Sequence, residues 1–250
     1  MSRSYAADAY RAVKAGLPLP PRSRPLEFSE AALSAAKWLA LVLMLVDHTN
    51  KYVFDSSKTW MFALGRISMP LFAFVLGYNL ARPGMLESGG FRRVAIRMAI
   101  FGVVATLPFV VINKLPGGWW PLNMMFTLLV GVFTVWLIEI KKTWSTVLAC
   151  LVAIWGGALV EYWWPAIGML LCVWAYRREP SKPLIVGFMV SLAALYFVNG
   201  NFWAFAVIPV LAVLQRWPAL LPRAQWVFYA VYPLHLMAFW WWMSAAKTSL

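Results

Sequence analysis

The side chains that could take part in chemistry are few, and they lie inside apolar segments of the chain. Both histidines, His48 and His235, stand in such segments, Asp47 precedes His48, and Arg66 lies in the next segment along. A neutral imidazole can act as a general base, and pairing a carboxylate with a guanidinium makes the burial of both charges tolerable. The set indicates a functional site inside a membrane, in which His48 could act as a base, or a proton-coupled pathway across the membrane.

Composition places these residues in a lipid bilayer. The chain has 250 residues, of which 62% are hydrophobic and only 12% charged, and this is outside the range of soluble proteins. Its 22 Lys and Arg against 9 Asp and Glu give a formal net charge of +13. These cations fall between apolar runs, and the chain has no basic helix with interleaved stacking aromatics outside the membrane. Membrane topology therefore explains the charge, and we expect no nucleic-acid partner.

Nine apolar segments predict an all-α, polytopic integral membrane bundle of about nine transmembrane helices. Their predicted bounds are Ala35–Val53, Trp60–Leu80, Val94–Ile112, Trp119–Ile140, Trp144–Val160, Trp163–Tyr176, Pro183–Val198, Phe202–Leu214 and Gln225–Ala245. The turn-forming residues Asn199-Gly200-Asn201 divide the seventh segment from the eighth. We expect residues 1–34, which are rich in proline and arginine, to form a cytoplasmic arm, and residues 35–250 to form the membrane domain.

The distribution of basic residues predicts the orientation. With the N-terminus in the cytoplasm, 17 lysines and arginines fall on the inner side and four on the outer side. This bias follows the positive-inside rule and predicts a periplasmic C-terminus. Tryptophans such as Trp119, Trp120, Trp163 and Trp164 stand at the predicted outer ends, where an aromatic belt is expected.

Helix geometry places Asp47, His48 and Arg66 at one depth. A rise of about 1.5 Å per residue puts all three roughly 7 to 9 Å below the outer edge of the bilayer core. Adjacent residues on a helix point about 100° apart, so Asp47 and His48 cannot share one partner. We expect Asp47 to pair with Arg66, or with Lys51 at i+4, which leaves His48 to face another group. Alternatively, the Asp47 pair is a purely structural contact between helices.

The last apolar segment carries a second set of polar residues. Tyr232 and His235 are three residues apart and share a helix face, so they could line one cavity near mid-membrane. Alternatively, His235 only bonds to a backbone carbonyl in a helix that Pro233 bends. Asn79 and Asn123 also need partners within a cavity or on a neighbouring helix.

Metal and disulfide chemistry are not expected. The two histidines are distant in the sequence and the acidic residues are scattered, whereas a metal site needs three or four convergent ligands. Cys150 and Cys172 lie in apolar runs without metal-binding spacing, and we interpret both as buried packing residues.

Three stretches of the chain resemble a known family. They are Lys37 to His48, which ends in Asp47-His48; Gly65 to Leu80, which contains Gly-Arg-Ile-Ser-Met-Pro-Leu-Phe-Ala-Phe; and Tyr229 to Leu236. The chain is similar over essentially its whole length to the TraX family of conjugative-plasmid proteins, and within it to the TrbP type. The specific parts are the first two apolar segments and the last one.

This resemblance implies an integral acetyltransferase of the bacterial inner membrane, which transfers an acetyl group from acetyl-CoA to the N-terminus of a conjugative pilin subunit. By position it implies that His48 is the catalytic base or the transient acetyl carrier. Asp47 and Arg66 would shape and charge-balance the site, with Tyr232 and His235 on the facing wall.

The donor is expected to enter from the inner side. Arg92, Arg93 and Arg97 are candidates to hold the phosphates of acetyl-CoA, and Asn79 and Asn123 are polar candidates along its path. Two other functions fit the same residues: a proton-coupled membrane transporter, or a noncatalytic factor for pilus assembly.

Overall fold

The computed structural model describes residues 11, 14, 27–115, 118–217, 219, 221–222 and 224–248. The ordered elements of this part of the chain are helices, together with one isolated parallel bridge between Leu122 and Val160. The helices are α1 (Glu30–Tyr52), α2 (Thr59–Gly65), α3 (Ser68–Leu80), α4 (Gly90–Asn113), α5 (Met124–Glu139), α6 (Thr143–Leu159), α7 (Trp163–Arg178), α8 (Lys182–Ala194), α9 (Tyr196–Asn199), a 3-10 turn (Trp203–Ala206), α10 (Val207–Arg216) and α11 (Gln225–Thr248).

These elements group into nine helical segments within the described residues, because α2 continues into α3, α8 into α9, and the 3-10 turn into α10. The prediction of an all-α helical bundle is confirmed. Four segments are long and apolar enough to cross a membrane, namely Glu30–Tyr52, Thr59–Leu80, Gly90–Asn113 and Lys182–Asn199. The full number of membrane spans and the orientation of the termini stay predictions.

Two predicted helix starts are wrong by five residues, and a capping side chain explains each. Helix α1 begins at Glu30, inside the predicted arm, because the Ser29 side chain accepts a hydrogen bond from the Ala32 amide. Helix α5 begins at Met124 rather than Trp119, because the Asn123 side chain caps it and accepts from the amide of Met125. Apart from residues 11 and 14, the arm before residue 27 lies outside the described residues.

Helix α1 is packed on several sides, and other helices form the exterior of the bundle. It contacts α2, α3, α10 and α11, while α4 packs against α5 and α11, and α7 packs against α3, α5, α6 and α8. On α4 the exposed side chains Ile96, Ile100, Val103 and Leu107 recur every three or four residues. Such a stripe is one face of a helix, and an apolar face turned outward suits a lipid environment.

The cysteines depart from their predicted positions. Both are free thiols, but Cys150 is exposed and Cys172 is half-buried. The prediction that both are buried packing residues is wrong. An apolar run predicts burial only in a protein surrounded by water, whereas an exterior that faces lipid can be as apolar as the core.

Two helix breaks bring polar residues into the bundle. The first separates α2 from α3 at Arg66 and Ile67, where Pro70 cannot supply an amide hydrogen to the Arg66 carbonyl. The second follows α9, where Gly200 has a positive φ of 69°, which glycine adopts without strain. The predicted division at Asn199-Gly200-Asn201 is confirmed.

Candidate functional site

An ion pair joins the first two helical segments. The Nη2 atom of Arg66 donates to Oδ2 of Asp47, and its Nη1 atom donates to Oδ1 of Asn199 at 3.2 Å. Lys51 is not the partner of Asp47, because its Nζ atom donates to Oδ1 of Asn113 at 2.6 Å instead. Arg66 thus ties α1 to the end of α9.

The close approach of α2 to α1 depends on a glycine. A Cβ atom placed on Gly65 would lie 2.4 Å from the Cβ atom of Asp47, far inside van der Waals contact. On the other side, the guanidinium carbon of Arg66 lies 4.4 Å from the centre of the Phe62 ring, within the range of a cation–π contact. The Asp47–Arg66 pair is therefore enclosed by its own helices.

The two histidines are in direct contact. The Nδ1 atom of His48 lies 2.6 Å from Nε2 of His235, and the rings are stacked with centroids 4.8 Å apart. Helix α11 packs against α1 and so brings together two residues that are distant in the sequence. The Tyr232 ring lies next to this pair, 5.5 Å from the ring of His235.

The contacts of His235 fix the hydrogen positions of the pair. Its Nδ1 atom lies 2.8 Å from the carbonyl oxygen of Val231, which can only accept, so Nδ1 carries the hydrogen. In the neutral forms of both rings, His235 Nε2 is then an acceptor, and His48 Nδ1 donates to it. The Nε2 atom of His48 is left with a free lone pair, as a general base or a nucleophile requires.

His48 lines a small chamber that also contains acidic and phenolic groups. The chamber has a volume of about 10 Å³, which is room for about one water molecule. Its wall consists of Met44, Asp47, His48, Gly65, Ser68, Met124, Glu161, Tyr162 and Tyr232. The sequence indicated three of these, Asp47, His48 and Tyr232, as site residues.

A larger cavity of about 330 Å³ lies beside the chamber. Near one end its lining residues come from the first turn of α1, the residues just after α3 and the first turn of α11; they include Glu30, Arg82 and Gln225. At the other end Met44, Met124 and Tyr232 line both the cavity and the chamber. An elongated molecule in this cavity would therefore reach the wall that it shares with the His48 chamber.

Sequence reasoning missed Glu161, which belongs to the turn between α6 and α7. Its amide donates to the Leu122 carbonyl at 2.9 Å, next to the Leu122–Val160 bridge, so the backbone holds it in place. Burial raises the pKa of the Glu161 carboxyl to about 7, although Lys51 and Arg66 act in the opposite direction. The signal in the sequence was an acidic residue embedded in Val-Glu-Tyr-Trp at the join of two apolar segments.

Comparison with known proteins assigns the chain to a family. A family model described as TraX protein matches residues 32–242. The chain belongs to the TraX family. Protein TraX of Escherichia coli is 31% identical over 197 residues, which cover 75% of this chain and 76% of that protein. Protein TraX of Escherichia coli strain K12 is 32% identical over 180 residues, which cover 70% of this chain and 68% of that protein. No solved structure matches the chain.

Two of the polar residues assigned to the donor path line the larger cavity of this TraX family member. They are Asn79 and Arg97. The Nη1 atom of Arg97 donates to Oε1 of Gln225 at 3.2 Å, and its guanidinium carbon lies 4.5 Å from the centre of the Trp226 ring. Arg97 is thus held between α4 and the start of α11.

The other three residues assigned to the donor path lie outside the cavity. Arg92 and Arg93 are exposed and are not among its lining residues. The side-chain Nδ2 atom of Asn123 donates to the Gly102 carbonyl at 2.9 Å. The Asn123 side chain therefore joins α5 to α4, and it also caps α5.

Metal ligands do not converge in the part of the chain that the structure describes. No group of three or more His, Cys, Asp or Glu side chains able to hold a metal ion is found there. The contact between His48 and His235 supplies two nitrogens, but each of the two facing atoms is engaged with the other ring.

Proposed function

We propose that this TraX family member is an integral acetyltransferase of the bacterial inner membrane. It moves an acetyl group from acetyl-CoA to the N-terminal amine of a conjugative pilin subunit, the activity that family membership implies. The observation that carries the proposal is the wall common to the cavity and the chamber. Because Met44, Met124 and Tyr232 line both spaces, a donor bound in the cavity would bring its reacting end to the wall behind which His48 lies.

The cavity suits a donor with a charged head and a narrow arm that fits between apolar side chains. Its volume of about 330 Å³ lies within the range of small-molecule sites, about 300 to 1,000 Å³. The Arg97 guanidinium can contact phosphate oxygens, and apolar residues such as Leu41, Phe72 and Leu128 line the deeper part. An apolar lining excludes water, which would otherwise compete for the thioester.

The free Nε2 atom of His48 supports two routes of transfer. It can take a proton from the attacking amine, or it can accept the acetyl group itself and pass it on. In both routes the negative charge that develops on the carbonyl oxygen needs a hydrogen-bond donor. Tyr232 lines both spaces, whereas Arg66 is not among the lining residues of the chamber, so we assign this role to the Tyr232 hydroxyl.

The position of the chamber fits an acceptor on the outer side. His48 lies in the last turns of α1, at the end opposite Glu30, and the predicted orientation puts this end towards the periplasm. A pilin whose signal peptide has been removed there would present its new amine close to the chamber. The donor would enter from the cytoplasmic end, where acetyl-CoA is available.

The mass of intact pilin tests the proposal. Pilin from cells with the wild-type protein should carry one acetyl group more than pilin from cells with His48→Ala. As a matched pair, Met44→Trp fills the shared wall and should abolish acetylation, whereas Val42→Trp, at an exposed position of the same helix, should not. If pilin from wild-type cells has the same mass as pilin from His48→Ala cells, the proposal is overturned. Loss of substrate uptake in the His48 variant would then favour a transporter. Loss of pili would favour an assembly factor.

A further inference from the structure

The proposed transfer requires two proton acceptors. An α-amino group has a pKa of about 7.7 to 8.0 in water, so the acceptor arrives largely as an ammonium ion with three N–H bonds. The amide product keeps one N–H bond, and two protons must therefore leave the nitrogen. His48 can hold one proton on Nε2, and a second base must remove the other.

Most groups around the chamber cannot serve as that second base. The Asp47 carboxylate is ion-paired with Arg66. The Nε2 lone pair of His235 is occupied by His48, and its Nδ1 atom faces the Val231 carbonyl. Of the remaining ionisable groups that line the chamber, the phenols of Tyr162 and Tyr232 are protonated at neutral pH.

Glu161 is the remaining candidate. Glu161 lines the chamber together with His48, and among the described residues its carboxyl forms no salt bridge. Burial of a carboxylate that no salt bridge neutralises is costly, and a cationic ligand in the chamber would offset part of that cost. The ammonium group of the acceptor is such a ligand.

We infer that Glu161 is a second catalytic base, which binds the acceptor ammonium and removes its first proton. The inference rests on the proposed function. The Glu161 carboxylate takes one proton and becomes neutral, and the free amine attacks the thioester carbonyl carbon. His48 Nε2 takes the second proton as the C–N bond forms, the C–S bond breaks, and His48 passes this proton to the leaving thiolate. Glu161 returns its proton to water, so the sum is ammonium plus thioester giving amide, thiol and one proton.

The charges around Glu161 are consistent with this role. Lys51 and Arg66 favour its carboxylate, whereas burial and the negative charge of Asp47 favour the neutral acid. His48, Tyr162 and Tyr232 line the same chamber and carry no charge in their neutral forms. The resulting pKa of about 7 lies close to that of an α-amino group, so a proton passes between the two with little change in free energy.

A comparison of two acceptors tests whether Glu161 acts as a base for the acceptor ammonium or has only a structural role. The purified full-length protein in detergent is given labelled acetyl-CoA with either a peptide of the pilin N-terminus or hydroxylamine, whose nitrogen is largely unprotonated at neutral pH. At pH 7, Glu161→Gln should lower kcat/KM for the peptide by about 100-fold, as expected for loss of a general base. With hydroxylamine it should stay within about threefold of the wild type, because no first proton has to be removed.

The matched control is Glu179→Gln, at the exposed C-terminal cap of the helix that follows Glu161. It should match the wild type with both acceptors. The defect of Glu161→Gln with the peptide should shrink as the pH rises, because the free amine then becomes more abundant.

The outcomes separate the two claims. If the wild type acetylates neither acceptor, the proposed function fails, and the role of Glu161 fails with it. If the wild type acetylates the peptide and Glu161→Gln is equally active, only the role of Glu161 is overturned. Equal losses with both acceptors at every pH would also overturn it, since they would indicate a structural contribution.

Discussion

The Nδ1 atom of His48 lies 2.6 Å from the Nε2 atom of His235, although 187 positions separate the two residues. His235 is itself anchored, because its Nδ1 atom contacts the Val231 carbonyl one helical turn earlier. The result is a chain of hydrogen bonds from backbone to His235 to His48, in which the second ring orients the first. The same logic orients a catalytic or metal-binding histidine through a partner on its other nitrogen.

This arrangement predicts different losses for the two histidines. His48→Ala should abolish acetylation, whereas His235→Ala should lower kcat by about 10- to 100-fold, the usual cost of removing an orienting partner. His235→Gln should recover part of the activity, because its amide oxygen can accept from His48 Nδ1. The measurement is the rate of acetyl transfer to a pilin peptide at saturating acetyl-CoA. If His235→Ala is as inactive as His48→Ala and glutamine restores nothing, His235 has a more direct role.

The cavity predicts which arginine affects binding of the donor. Arg97→Ala removes a guanidinium that lines the cavity, and it should raise the KM for acetyl-CoA by about tenfold with little change in kcat, since one charged hydrogen bond contributes about 1.5 kcal/mol or more. Arg92→Ala, on the same helix and exposed, is the control and should leave KM unchanged. Equal effects of the two variants would indicate that the surface charge of the inner face, rather than the cavity, attracts the donor.

The close packing at Gly65 predicts that a larger side chain at this position disturbs the Asp47–Arg66 ion pair. Gly65→Ala would place a Cβ atom 2.4 Å from the Cβ atom of Asp47, so α2 and α1 must separate, at a cost of about 1 to 3 kcal/mol. We expect lower thermal stability in detergent together with lower activity. In Gly187→Ala the nearest atom is the Cys172 sulfur at 2.9 Å. This sulfur is the end of a side chain that can rotate away, whereas the Asp47 Cβ atom is fixed to its backbone, so the change should be smaller. Equal melting temperatures for the two variants would contradict the steric explanation.

Glu161 predicts a dependence of stability on pH. Its folded-state pKa of about 7 is above the value of about 4.3 for an unperturbed glutamate. The folded protein therefore holds this proton more tightly than the unfolded chain, so the contribution to stability is fully present below about pH 4.3 and is lost as the pH rises through about 7. Between pH 5 and pH 8, the melting temperature of the wild type should fall more than that of Glu161→Gln. Parallel curves for the two proteins would show that Glu161 is not the group responsible.

Much of the fold follows from the sequence because the bilayer imposes simple rules. An apolar run in lipid must satisfy its own backbone hydrogen bonds, so it forms a helix. The nine apolar segments accordingly appear as nine helical segments in the described chain. Local side chains shifted the boundaries, as Ser29 and Asn123 did by capping helices.

The sequence by itself determined that polar residues inside apolar helices would be sparse, and it indicated Asp47, His48 and Arg66 at one depth from helical rise alone. Only the tertiary structure decided that His235 contacts His48 and that Glu161 lines the same chamber. The physical reason is that helical geometry fixes the position of a residue along its own axis, whereas the packing of one helix against another decides which faces meet. Residues of α1, α11 and the turn before α7 share a chamber through that packing. The spacing of residues within one segment carries no information about it.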